Sequence, residues 1–270
     1  MGFLYAVLGV AGAFLTLVVL FALVVVFSFI FVDQNKEYEK KSPFHEKLTD
    51  CIAWCILKVC NVKVETTGLE KVPKNERFFL VCNHRSFSEI VALRYVLRKY
   101  GFVFISKPEN FKIPFLNKMA RRIRFMSIDR ENPRNAMKTL IKAIDFIKAD
   151  EGSIAIFPEG TRSRDGKLGE FHDGVFKIAI KSGAPVVVTS VVGSEKVKKN
   201  APFKKTVMYL DFLDCFHAQA GENSHDIAER SRSLIENKIF EREGKPAQEN
   251  EPETAQTAES GEQTNENPVE

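Results

Sequence analysis

Hydrophobic positions along this chain fall into distinct regimes. Residues 2–32 carry no charge and are almost wholly Phe, Leu, Val, Ala and Ile. At about 1.5 Å per helical residue, such a run exceeds the roughly 30 Å hydrocarbon core of a bilayer. It predicts a hydrophobic membrane anchor over residues 1–32, either one tilted spanning helix or a re-entrant hairpin bent near Gly9 and Gly12. A cleaved signal peptide fits poorly, because the run is too long and neither a basic leader nor a small-residue cleavage site flanks it. At the far end the pattern vanishes. The residues after Gly244, KPAQENEPETAQTAESGEQTNENPVE, include no aromatic residue and many Glu, Gln, Asn and Thr. Such a composition buries too little apolar area to offset ordering entropy, which predicts a disordered acidic tail over 244–270.

Between these ends, short apolar runs alternate with helical periodicity. Phe78–Cys82, Phe102–Ser106, Ile123–Ile128, Ser153–Phe157, Pro185–Val192 and Thr206–Phe212 read as strands. Ser88–Arg98, Phe111–Ala120, Val175–Ser182 and Asn223–Phe240 read as helices. So does Asn135–Ala149, whose apolar residues at 136, 137, 140, 141, 144 and 147 line one helical face. Strands separated by helices predict an α/β fold over residues 33–243: a single layered domain with a mixed, mostly parallel central sheet flanked by helices. Leu48–Val64 is apolar on most faces with Trp54 at its middle. It reads as a core helix or as an interfacial helix seating the domain on lipid.

Charge narrows the partners. Residues 1–240 hold 37 Lys or Arg against 26 Asp or Glu, whereas residues 241–270 hold 2 against 9. A basic body suits an anionic membrane surface or an anionic substrate. The basic residues are dispersed and have no zinc-finger spacing, so no nucleic-acid partner is expected. Lys36, Lys40, Lys41 and Lys47 follow the anchor and favour a cytosolic domain at a membrane of inner-membrane or endoplasmic-reticulum type. The five cysteines, at 51, 55, 60, 82 and 215, are odd in number and have no histidine partners at metal-ligand spacing. They read as reduced, mostly buried thiols rather than a disulfide framework or a zinc site.

Two segments carry chemistry. In Asn83-His84-Arg85-Ser86-Phe87-Ser88-Glu89, the histidine directly follows a strand. Glu89, five positions on, can hold one ring nitrogen and leave the other to accept a proton. The alternative is a solvated histidine at a helix start. In Phe157-Pro158-Glu159-Gly160-Thr161-Arg162-Ser163, the glycine permits a tight turn with exposed N–H groups, and Arg162 offers a planar fork of donors suited to phosphate. Glu159 sits oddly in a phosphate site and reads as a holder of Arg162 or a ligand of substrate hydroxyls. The alternative here is a solvated surface turn. Lys107 and Arg130 each follow a strand as well. In open α/β sheets ligands collect at that edge, so the set reads as a basic mouth for a phosphate.

These motifs resemble the glycerolipid acyltransferases, the family that includes 1-acyl-sn-glycerol-3-phosphate acyltransferases. NHRSFSE matches the family's NHxSxxD with Glu89 in the aspartate's place. Lys107, Pro114 and Ile128-Asp129-Arg130 match its second region. FPEGTRS is present unchanged at 157–163, and Pro185 remains of a fourth motif whose second proline is Val188 here. The resemblance covers roughly residues 45–215. It implies acyl transfer from acyl-CoA or acyl-carrier protein to the sn-2 hydroxyl of a lysophospholipid, 1-acyl-glycerol 3-phosphate, with no further cofactor and no metal. His84 would be the general base and Glu89 its orienting carboxylate. Lys107, Arg130, Glu159, Gly160, Thr161 and Arg162 would hold the substrate. Acceptors other than 1-acyl-glycerol 3-phosphate, including glycerol 3-phosphate, and a non-catalytic membrane lipid-binding role are the alternatives.

Overall fold

The computed structural model describes residues 1–163 and 166–244, so the acidic tail expected beyond Gly244 lies outside the described residues. The chain opens on α1 (Gly2–Ile30), one unbroken helix of 29 residues. Gly9 and Gly12 do not bend it, which removes the hairpin alternative. Its length and uncharged sequence are those of a membrane-spanning helix. Its last turn, through Phe29, and Val32 just beyond it pack against Leu48 and Met119.

The domain follows in chain order as α2 (Pro43–Val59), β1 (Val62–Thr67), β2 (Phe79–Cys82), α3 (Ser88–Val96), β3 (Phe102–Ser106), α4 (Pro114–Arg122), β4 (Met126–Ser127) and α5 (Pro133–Lys148). It continues with β5 (Ser153–Ile156), α6 (Lys177–Ser182), β6 (Val186–Val192), α7 (Val197–Asn200), β7 (Thr206–Phe216) and α8 (Ser224–Glu243). The sheet order is β1-β7-β6-β2-β5-β3-β4. Every pairing is parallel except β6 with β7. The mixed, mostly parallel α/β sheet expected from the alternating pattern is therefore present. Val192 lies opposite Tyr209, so β7, and β1 with it, begins at the edge where the other five strands end.

Both sheet faces are covered, which is why the central strands are apolar without alternation. Phe79, Val81, Ile154, Ile156, Val186 and Val188 face α5, α6 and α8; Leu80, Cys82, Ala155 and Val187 face the α3 side. Local signals agree with this burial. Asn132 caps α5 by accepting from the Asn135 N–H at 3.2 Å, with Pro133 in the first turn. Asn223 and Asp226 form a capping box at the start of α8.

Three expectations are corrected. The run at Ile123–Ile128 is a strand only at Met126–Ser127, because α4 persists to Arg122 and Arg124 turns the chain at φ 63°. The Leu48–Val64 segment is a helix only to Val59; Asn61, at φ 54°, reverses the chain into β1. That polar edge strand, VKVETT, pairs only with β7 and so carries little hydrophobic signal. Among the cysteines only Cys82 is buried, Cys51 is exposed, and all five are free thiols.

Candidate active site

The site forms where β2, β5, β3 and β4 end. Asn83 secures the first corner. Its side chain donates to the Val191 carbonyl at 2.8 Å and accepts from the Val191 N–H at 2.7 Å, extending the β2–β6 pairing by one residue. The next residue, His84, is thereby aimed off the sheet edge.

Glu89, in the first turn of α3, is wholly buried and surrounded by donors. One oxygen lies 2.6 Å from His84 Nδ1. The other accepts from the Arg85 N–H at 2.7 Å, the Ser86 N–H at 2.8 Å and the Ser194 hydroxyl at 2.5 Å. Since the carboxylate acts as acceptor throughout, Nδ1 carries the ring proton and Nε2 keeps its lone pair. The ring is clamped flat on Phe157, with centroids 4.1 Å apart at 14°. Phe157 in turn stacks on Phe104. The imidazole is thus fixed in both orientation and tautomer.

The 157–163 segment is stitched to the same corner. Ser163 N–H donates to the His84 carbonyl at 2.9 Å. Glu159 was expected to hold Arg162 or substrate hydroxyls. Instead its two oxygens accept from the His84 N–H at 2.6 Å and the Gly169 N–H at 2.9 Å. It is buried behind the cleft and does not line it. That burial pushes its carboxyl above the usual range, opposed by the two amide donors. Glu159 is therefore a positioning residue: it ties the turn to the histidine backbone.

Gly160 adopts φ 70°, and a Cβ there would occupy the space of the Arg130 guanidinium. The missing side chain lets Arg130 lie across the turn. Burial lowers the Arg130 pKa, and its Nε is buried without a hydrogen-bond partner among the described residues. Replacing Gly160 with Ala is expected to cost about 1–2 kcal/mol for the left-handed backbone alone and to displace Arg130. Chemical denaturation of the variant measures that loss.

His84, Lys107, Arg130, Gly160, Thr161 and Arg162 all line one cleft of about 770 Å³. Residues far apart in sequence thus converge on one mouth, with the histidine at one side and the basic groups around it. Behind it lies a smaller, apolar chamber of about 80 Å³ between α2, α3 and α4, sharing Phe87, Ile90, Leu116 and Phe125 with the cleft. Among the described residues no cluster of three or more His, Cys, Asp or Glu side chains converges as a metal site requires.

Residues 63–192 match the family model described as Acyltransferase. This segment, just under half of the chain, is similar to the acyltransferases. The chain is 36% identical over 136 residues to the chloroplastic 1-acyl-sn-glycerol-3-phosphate acyltransferase BAT2 of Brassica napus, covering 50% of this chain and 39% of that protein. It is 29% identical over 160 residues to the 1-acyl-sn-glycerol-3-phosphate acyltransferase of Borreliella burgdorferi, covering 59% and 61%. The chain thus spans less than half the length of the plant relative. The crystal structure of the 1-acyl-sn-glycerophosphate acyltransferase PlsC from Thermotoga maritima superposes with a TM-score of 0.60, over 85% of this chain and 91% of that one. At 22% identity, this likeness carries the fold.

Several residues that shape the candidate site carry no local signal in the sequence. Ser194 follows β6 and reaches Glu89 from 105 positions away; a serine after a strand gives no local signal. Phe157 reads in the sequence as a strand end and the first residue of FPEGTRS, yet it is also the face on which His84 rests. Arg85, almost fully buried, donates to Glu243 at the end of α8 and to the Gly166 carbonyl, both at 2.5 Å. It thereby fastens the last helix to the histidine loop.

Proposed function

We propose that this protein transfers a fatty acyl group from acyl-CoA or acyl-carrier protein to the sn-2 hydroxyl of 1-acyl-glycerol 3-phosphate, giving phosphatidic acid. The observation that carries the reading is His84, held by the buried Glu89, lining the same cleft as Arg130, Gly160 and Arg162. His84 Nε2 takes the proton of the sn-2 hydroxyl as its oxygen attacks the thioester carbonyl. A tetrahedral intermediate forms and collapses, the carbon–sulfur bond breaks, and the thiolate leaves with a proton returned from His84. The nucleophile is the substrate's own oxygen, so no acyl-enzyme is needed.

Arg130, Thr161, Arg162 and the turn at Gly160 hold the acceptor's phosphate, with Lys107 adding positive charge. The Arg130 Nε, buried without a hydrogen-bond partner among the described residues, is a donor available to such an acceptor. Glu159 serves the phosphate site indirectly by holding the turn against His84. The small apolar chamber between α2, α3 and α4 suits a short apolar segment of an acyl chain. α1 holds the domain at the bilayer where acceptor and product reside, with the cleft on the cytosolic side, where acyl-CoA and acyl-carrier protein are found.

The decisive experiment assays reconstituted protein against a panel of acceptors and both donor classes. 1-Acyl-glycerol 3-phosphate is expected to turn over; its inertness beside an active rival acceptor overturns the substrate assignment. In the same assay, Arg162→Ala is expected to raise acceptor KM about tenfold or more, the loss of one charge-assisted hydrogen bond, with a smaller change in kcat. An unchanged KM removes Arg162 from the phosphate site.

A further inference from the structure

We propose that the basic loop joining α7 to β7 is a second membrane contact, in which Phe203 enters the headgroup–acyl boundary of an anionic leaflet on the same sheet edge as the catalytic cleft. The proposal rests on the membrane attachment read from α1. Glu195 to Lys205 holds five lysines against one glutamate, and all five lysines are exposed. Among them stands Phe203, 94% exposed. A single exposed apolar side chain is unremarkable. An aromatic residue ringed by lysines on an ordered loop combines the two attractions that seat a protein on an anionic bilayer.

The loop is held in place. Lys204 N–H donates to the Asn200 carbonyl at 2.8 Å, the Asn200 side chain donates to the Thr206 hydroxyl at 2.9 Å, and Thr206 N–H donates to the Asn61 carbonyl at 3.0 Å. It also lies at the working edge of the sheet. β7 starts where β2, β3 and β5 end, and the segment departs from Ser194, whose hydroxyl is bonded to Glu89. Phe203 and the cleft therefore share one edge.

Continuity with α1 favours lipid over a soluble acidic partner. The base of α1 is joined to α2 by the bond between His45 Nε2 and the Ser28 carbonyl, 3.1 Å. From there α2 leads to Asn61 and the loop. Its outward stripe is Phe44, Lys47, Cys51, Trp54 and Lys58, all exposed and spaced three and four apart. Lys58 and Trp54 line a groove with Lys63 and Lys205. One aromatic and basic surface thus runs from the anchor to Phe203, complementary in charge to anionic headgroups.

Trp54 is the single tryptophan, so fluorescence can test this. The full chain is reconstituted into vesicles of phosphatidylcholine and phosphatidylglycerol carrying brominated acyl chains, as Trp54→Phe and as Trp54→Phe with Phe203→Trp. The second protein is expected to lose roughly half of its emission to the bromine atoms, as a ring at the acyl boundary should. That loss should shrink in phosphatidylcholine alone, and when Lys198, Lys199, Lys204 and Lys205 are changed to Gln. Flotation of the same vesicles reports attachment through α1. Protein that floats while Phe203→Trp stays unquenched overturns the second contact and leaves the anchor standing. Protein that does not float overturns the attachment and this proposal with it. An unquenched probe that shifts only when acyl-carrier protein is added assigns the loop to an acidic protein partner and overturns the lipid contact.

Discussion

Changing His84 to alanine is expected to lower kcat about a thousandfold, the usual reach of a positioned general base. The loss should fall on kcat rather than acceptor KM, because the phosphate-holding groups are built on other strand ends. The fold should survive. Glu89 keeps the donors Arg85 N–H, Ser86 N–H and Ser194 hydroxyl, and the residue 84 backbone keeps Glu159. What the protein loses is the stack on Phe157, worth about 0.5–1.5 kcal/mol, and the bond to Glu89, whose buried oxygen left unpaired costs about 1–3 kcal/mol. Steady-state kinetics with a thermal unfolding scan separate the two effects. Wild-type turnover in a folded variant would show that the hydroxyl is activated by some other group.

Shortening Glu89 to aspartate is expected to lower activity, about ten- to a hundredfold, although aspartate is the residue at this place in the family's motif. A glutamate carboxylate reaches about 1.5 Å further than an aspartate from the same backbone. Here that reach is matched to four donors at 2.5 to 2.8 Å, two of them backbone amides of the preceding turn. An aspartate cannot keep all four without moving the start of α3, and each buried donor left unpaired costs about 1–3 kcal/mol. Glu89→Gln is the harsher change. The amide group presents a donor where only acceptors fit, and loss of the orienting charge should cost about a thousandfold or more in kcat, by analogy with amide replacement in catalytic triads. Higher activity in the aspartate variant would mean that the turn relaxes freely, and that the glutamate is a tolerated compromise.

The two motif segments are legible in the sequence because their chemistry is local: a strand end, a histidine, a carboxylate at turn distance, a glycine beside an arginine. The layered fold is legible for a related reason, since strands buried on both faces must be apolar throughout and amphipathic helices must repeat at helical spacing. β1 escapes notice because an edge strand buries too little to demand such a pattern. Glu159 misleads because its charge invites a substrate contact, whereas its partners are backbone amides, one of them 75 residues upstream. Ser194 and the Arg85–Glu243 pair are invisible for the same reason of distance.

Residue type and spacing alone establish the long uncharged apolar helix at the N-terminus, the alternating α/β domain and the identity of the groups available for proton transfer and anion binding. These properties depend on solvent and on near neighbours along the chain. The tertiary arrangement settles which of those groups meet. It brings Lys107, Arg130 and Arg162 around one cleft with His84. It turns Glu159 away from that cleft, and it supplies Ser194 to complete the shell around Glu89. Strand order and register make those choices, because side chains from separate strand ends converge only where the sheet sets their backbones side by side.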